Sequence, residues 1–197
     1  MKNSIFINKK IRSYNKKITV SSDKSISIRW ALIASQAIGK SKASNLLISE
    51  DVLSTLNCLK KLGIKMNLNK KKQTCEIFGN GINGFNYKKN IILNANNSGT
   101  LARLICGLLV KAKNKIKIIG DKSLSRRDFS RVIQPLNKFG VNFYPRFKKN
   151  LPLSIQGTDF LRPIQFQEKK GSAQVKSLLI FAAMNTPGTT IISAKKS

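Results

Sequence analysis

Lys24, Ser25 and Arg29 stand close together in Asp23-Lys24-Ser25-Ile26-Ser27-Ile28-Arg29, at the opening of an apolar run. A helix start presents unpaired backbone N–H groups and a positive dipole end, so it holds an anion readily. Ser25 and Arg29 are four apart and share a helix face. A guanidinium binds phosphate or carboxylate with two parallel hydrogen bonds, and Lys24 adds a mobile point charge. Two later stretches repeat the arrangement. Asn96-Asn97-Ser98-Gly99-Thr100-Leu101-Ala102-Arg103 offers a glycine where backbone can approach a ligand closely, with Thr100 and Arg103 near it. Gly171-Ser172-Ala173-Gln174-Val175-Lys176 combines hydroxyl, amide and ammonium, and Gln174 can bond a ligand hydroxyl. Each stretch alone is also what an ordinary capped helix with surface cations looks like. Together they predict one phosphate and carboxylate site built from three helix starts. Arg126-Arg127 follows a predicted strand, where one arginine can point into the site and Asp121 and Asp128 can pair with them. None of these stretches matches the GxxxxGK[ST] or the GxGxxG phosphate loop.

The elements that must position these residues follow from periodicity. Ile26, Trp30, Ile33, Ala34 and Ala37 predict a helix capped by Ser22 or Asp23 and stopped at Gly39. Ala43–Leu47 reads as a strand. Val52, Leu56, Leu59 and Leu62 form the stripe of a second helix, with Asp51 in its first turn and Gly63 ending it. Residues 64–68 and 74–78 read as a strand pair. Residues 91–93 form a strand, and a third helix starts at Asn97 or Ser98. A strand at 116–119, a helix over 127–139 and a strand pair at 141–144 and 153–155 follow; Pro135 weakens that helix. A strand near 163–166, a helix after Gly171 and a strand at 189–192 complete the reading. Ser4–Asn8 and Lys17–Val20 are further extended patterns.

The order strand, helix, strand, helix, strand, strand recurs. Ser25, Ser98 and Ser172 are 73 and 74 residues apart, and the helix-stop glycines Gly63 and Gly140 are 77 apart. The fold class is therefore α/β, built of repeated βαβαββ units at about 21–84, 85–160 and 161–197, the third of them cut short. Such units, with one apolar sheet face and half-apolar helices, need one another to bury those surfaces.

The 197 residues carry 37 Lys and Arg against 8 Asp and Glu, a net charge of +29. That balance suits an anionic partner, yet Lys70-Lys71-Lys72 and similar runs also suit plain solvated faces. No recognised nucleic-acid module is present, and the aromatics lie mainly in apolar patterns rather than on a stacking surface. Histidine is absent, and Cys58, Cys75 and Cys106 lack metal spacing, so no metal is expected. The cysteine usage fits a reducing cytoplasm, and no apolar run is long enough to span a membrane.

Asp-Lys-Ser-Ile-Ser at 23–27 with Arg29, Asn-Ser-Gly-Thr at 97–100 with Arg103, Gly120-Asp121 with Ser123-Leu124 and Arg127, and Ser-Ala-Gln-Val-Lys-Ser at 172–177 resemble, in order and spacing, the motifs of the 3-phosphoshikimate 1-carboxyvinyltransferase (EPSP synthase) family. The resemblance implies an inverse barrel of two similar domains, each of three βαβαββ units, with the active site in the cleft between them. Residues 1–20 would be strands of the other domain, and the chain an N-terminal fragment of about half the enzyme. The implied reaction transfers the enolpyruvyl group of phosphoenolpyruvate to the 5-hydroxyl of shikimate 3-phosphate, on the pathway to chorismate, without a cofactor. By resemblance Lys24 is catalytic and contacts both substrates. Ser25, Arg29, Ser172 and Ala173 line the shikimate 3-phosphate site, with Gln174 near both ligands. Asn97, Gly99 and Arg127 serve phosphoenolpyruvate, and Thr100 and Arg103 support that loop. The family's acidic proton-transfer residue would lie in the other half, so the fragment alone is expected to be inactive. The full-length enzyme would be a cytoplasmic monomer that binds small anions, with neither nucleic acid nor membrane as partner.

The sequence departs from the family pattern in three places. Ser21-Ser22 replaces proline-glycine, Ile28 replaces a common histidine, and Asp128 stands where proline is frequent. These bear on loop shape. The alternative reading is the related transferase acting on UDP-N-acetylglucosamine, which prefers Lys-Asn at 24–25 and uses a loop cysteine. Cys106 lies in an apolar helical pattern and is a poor substitute. A basic nucleic-acid-binding module is the alternative from another class.

Overall fold

In the computed structural model, which describes residues 13, 15, 18 and 20–194, the first helix, α1 (Lys24–Ala34), is capped by Asp23, whose side chain accepts from the Ile26 N–H. The chain then forms β1 (Ile38–Ala43), and α2 (Glu50–Lys61) follows behind its Ser49 cap. A hairpin of β2 (Lys65–Asn69) and β3 (Thr74–Asn80) ends the first unit. The second has β4 (Ile92–Asn94), α3 (Gly99–Leu108), β5 (Ile116–Ile119), the short α4 (Lys122–Ser125), α5 (Ser130–Lys138), β6 (Asn142–Tyr144) and β7 (Leu153–Gln156). The third has β8 (Gln165–Glu168), α6 (Ala173–Ala183) and β9 (Ile191–Ala194).

Sheet pairing shows the repeat directly. The order β1-β3-β2 matches β5-β7-β6 in the second sheet, all antiparallel, and β4 adds parallel to β5. The third pair, β8 with β9, is parallel like β4 with β5, and joined by a helix in the same way. The described residues thus hold three open sheets and no closed barrel. The repeat register differs from the expected one. Asp23, Ser98 and Ser172 are the equivalent N-caps, whereas Ser25 sits inside the first turn of α1.

Three expected elements are also corrected. The helix does not run to Gly39 but stops at Ala34. Asn80 and Gly81 N–H groups take the carbonyls of Ser35 and Ala37, and β1 begins at once to pair with β3, so sheet pairing overrides the apolar helical pattern. The strand expected at 43–47 holds only Ala43, because Asn45 turns the chain at φ 56°. The helix expected over 127–139 is broken. Asp121 caps α4, and the Asp128 carboxylate takes the Ser130 N–H at 2.6 Å, offering the backbone an alternative to helix there. Pro135 lies inside α5. The Ser4–Asn8 pattern lies outside the described residues, as do Lys17 and Thr19; Ile18 and Val20 are in no regular element.

The core is organised around α3. Every one of its residues except Arg103 is buried. It packs so tightly on α6 that a Cβ at Gly107 would lie 2.4 Å from the Leu178 carbonyl oxygen. Val52, Leu56, Leu59 and Leu62 of the predicted stripe are all buried, and Gly63 and Gly140 end their helices at φ 86° and 100°. Burying a leucine fully contributes about 1.5–3 kcal/mol, so the three units are held together by apolar contacts centred on one helix. No helix among the described residues is long and apolar enough to cross a membrane.

Candidate functional site

The start of α1 is a tight cap. Ser27 Oγ donates to the Asp23 carbonyl at 2.7 Å and accepts from the Leu47 N–H at 3.1 Å, which ties the cap to the chain entering α2. Exposed Lys24 pairs with Asp51 in the first turn of α2 at 3.2 Å. Such solvated pairs contribute at most about 1 kcal/mol, so an incoming phosphate can take the ammonium. Arg29 is half-buried. Its Nη1 donates to the Ser25 carbonyl at 3.2 Å and its Nε to Ser177 Oγ on α6 at 3.1 Å.

At the start of α3, Ser98 is fully buried and caps Leu101. Asn97 is exposed and donates to Asp121 at 2.5 Å. Asp121 also caps Leu124; that backbone bond, then the Asn97 amide, holds its carboxyl below the ordinary value. Gly99 leaves room for two guanidinium groups, since a Cβ there would lie 2.6 Å from Arg103 Nη1 and 3.1 Å from Arg127 Nη1. Arg103 Nη1 donates to the Gly99 carbonyl and to Gln174 Oε1, each at 3.2 Å, and its guanidinium sits 5.1 Å from the centre of the Phe129 ring. Burial first, then Arg127 and Arg131, pull the Arg103 pKa down. Crowded, partly desolvated cations of this kind favour an arriving anion.

At the start of α6, Ser172 accepts from the Val175 N–H at 3.3 Å. Gln174 Nε2 donates to Thr100 Oγ1 at 3.0 Å. Glu168, at the end of β8, accepts from Arg131 Nη2 at 2.7 Å. Burial opposes its charge, but the Arg131 bond and the Ser172 and Lys170 N–H groups outweigh it and hold the carboxyl below the ordinary value.

All three predicted starts therefore meet through side chains. Arg29 joins the first to the third, and Gln174 with Thr100 and Arg103 joins the second to the third. Lys24 faces Asp51, while Asn97 and Arg127 lie by Asp121 and Gly99. Ala173 is exposed and Ser25 half-buried. Sequence reasoning missed Glu168 and Arg131, and gave Ser177 and Asp51 no role in the site. A signal for Glu168 existed, because it is one of only eight acidic residues in a strongly basic chain. Its partner, 37 residues back, could not be read from sequence.

Burial raises the thiol pKa of Cys58 and of Cys106 to about 12, and all three cysteines are buried and unpaired. Cys106 is thus a core residue and no nucleophile. No group of three or more His, Cys, Asp or Glu side chains among the described residues could hold a metal ion.

Residues 8–197 match the family model described as EPSP synthase (3-phosphoshikimate 1-carboxyvinyltransferase). The 3-phosphoshikimate 1-carboxyvinyltransferase of Caldicellulosiruptor saccharolyticus is 39% identical over 185 residues, covering 92% of this chain and 41% of the relative. That of Streptococcus pyogenes serotype M1 is 39% identical over 180 residues, covering 91% of this chain and 41% of the relative. The solved EPSP synthase of Acinetobacter baumannii superposes with a TM-score of 0.85 at 32% identity, covering 92% of this chain and 41% of that one. The chain spans about two fifths of the length of these relatives.

Proposed function

The chain belongs to the EPSP synthase family, and on that premise we propose that it supplies one wall of an active site in which the enolpyruvyl group of phosphoenolpyruvate is transferred to the 5-hydroxyl of shikimate 3-phosphate, with release of phosphate. The observation that carries this reading is the meeting of three helix starts through Arg29, Gln174, Thr100 and Arg103. In this reading Lys24, Ser25, Arg29, Ser172, Ala173 and Gln174 hold shikimate 3-phosphate. Lys24, Asn97, Gly99, Arg127 and Gln174 hold phosphoenolpyruvate, with Thr100 and Arg103 supporting them. The described sheets are parts of an inverse-barrel domain, which a second domain faces in the whole enzyme. In this reading the full-length enzyme works without a cofactor, in the cytoplasm, as a monomer.

The chemistry follows from charge. Two anions must be held together against their mutual repulsion, and the paired guanidinium groups over Gly99 and the ammonium of Lys24 offset that repulsion. Addition moves a proton to the methylene carbon and takes one from the attacking 5-hydroxyl, and elimination of phosphate leaves negative charge on its departing oxygen, which fixed cations stabilise. Proton transfer needs a free acid or base. Asp23 is engaged with Ile26, Asp121 with Asn97 and Leu124, and Glu168 with Arg131, while Asp51 holds Lys24 only until a phosphate takes that ammonium. In this reading the acidic proton-transfer residue lies in the other half of the enzyme, so the chain alone is expected to bind shikimate 3-phosphate without turning it over.

Calorimetric titration of the purified chain with shikimate 3-phosphate tests the reading. Binding that is lost in Arg29→Ala supports it. No binding, or equal binding by the variant, counts against it, and robust product formation would overturn the division of labour.

A further inference from the structure

Glu168 has a side chain only 4% exposed, and three donors surround its carboxylate. Arg131 on α5 donates to Oε1 at 2.7 Å, while the backbone N–H groups of Lys170 and Ser172 donate to Oε2 at 3.1 and 2.9 Å. Gly171, at φ 68°, lets the chain between β8 and α6 curl back onto that carboxylate. The N–H groups around a helix start are the donors that an anionic ligand would use. Here the Ser172 N–H is already taken by Glu168, and the Val175 N–H by Ser172 Oγ. Among the described residues, no hydrogen bond engages the Ala173 or Gln174 N–H. With its oxygen accepting in the cap, the Ser172 hydroxyl keeps its proton for a ligand.

We infer that Glu168 is a positioning residue, which fastens the start of α6 to α5 and selects the Ala173 and Gln174 N–H groups and the Ser172 hydroxyl as the donors offered to a phosphate. This rests on the reading of that start as part of the shikimate 3-phosphate site. A carboxylate suits the task because each oxygen accepts without donating. A glutamine has one accepting oxygen, and its NH₂ would confront either Arg131 or the Ser172 N–H. An aspartate is one methylene too short to reach both sides. The negative charge does not repel the ligand as a free carboxylate would, because Arg131 lies against it.

The test compares the 197-residue chain with Glu168→Gln and Arg131→Met by site-resolved amide hydrogen exchange and by titration with shikimate 3-phosphate. Glu168→Gln is expected to speed exchange of the Lys170 and Ser172 amides by about tenfold or more, the worth of a hydrogen bond to a charged group. The amides of α3 and the body of α5 should stay as they were. Arg131→Met should act on the same two amides by a smaller factor. Affinity for shikimate 3-phosphate should fall about tenfold in Glu168→Gln. Unchanged exchange at those amides, or acceleration spread evenly over the chain, would overturn the role. So would accelerated exchange with undiminished affinity. If neither the chain nor the variants bind shikimate 3-phosphate, the substrate reading falls, and the exchange pattern still decides whether Glu168 organises this helix start.

Discussion

Gln174 and Thr100, 74 residues apart in sequence, are joined by a 3.0 Å hydrogen bond, and the same Gln174 side chain accepts from Arg103 at 3.2 Å. The amide thus uses a donor and an acceptor to lock the second helix start to the third. A side chain so placed has its geometry set before any ligand arrives, which lowers the cost of binding.

Replacing Arg29 by alanine removes the bond to Ser177 and the guanidinium proposed for shikimate 3-phosphate. A hydrogen bond to a charged group contributes about 1.5–3 kcal/mol, so affinity should fall roughly 10- to 100-fold. Isothermal calorimetry reads this directly, and a change under threefold would contradict the assignment.

Gly99→Ala and Gly107→Ala should separate binding from folding, although both lie on α3. The added methyl at Gly99 meets the ends of two flexible side chains, Arg103 and Arg127, which can swing away. Stability should hold, since those side-chain ends can give way and Gly99 is only the first residue of α3, while phosphoenolpyruvate binding in the presence of shikimate 3-phosphate weakens. At Gly107 the methyl meets the Leu178 backbone on α6, and a cost of about 1–3 kcal/mol follows. Thermal melts and titrations of both variants check this. An unchanged melt for Gly107→Ala would refute the close helix contact.

Acid should destabilise the protein through specific carboxylates. Folding lowers the pKa values of Asp121, Asp128 and Glu168 from ordinary values of 3.8, 3.8 and 4.5. Their contribution is therefore complete above those ordinary values and is lost as pH falls through the lower folded ones. The melting temperature should be insensitive to these groups above about pH 5 and drop below pH 4. Asp121→Asn should flatten that acid limb. An identical pH profile for the variant would remove Asp121 from the account.

Cys58 and Cys106, with thiol pKa values of about 12, should resist alkylation at neutral pH in the folded chain and react readily in denaturant. Mass spectrometry after iodoacetamide treatment measures it. Fast native labelling of Cys106 would mean that α3 opens locally.

How far the sequence could be read depended on how local each cause was. The caps at Asp23, Ser98 and Ser172 and the stop glycines Gly63 and Gly140 depend on neighbours within a few residues, and their positions were legible. The strand β1 was misplaced because its start is dictated by β3, some 40 residues on. The break between α4 and α5 was missed although its agent, Asp128, is local, because the apolar stripe Val132, Ile133, Leu136 and Phe139 concealed it. Within the site, residue types were legible and connections were not. Arg29 with Ser177, and Arg131 with Glu168, are links across 148 and 37 residues, and no spacing rule encodes them.

The near-complete burial of α3 bears on how the protein comes together. Arrays of repeats commonly gain order one unit at a time, because each touches only its neighbours. Here the middle unit's helix obtains its packing from α1, α2 and α5 as well as from α6, some 70 residues along the chain. A half-assembled state would leave an apolar rod wet on one side. The energetic benefit therefore arrives late and all together, and the three units should melt in a single transition and fold slowly for their size, as contacts between distant parts of a chain require.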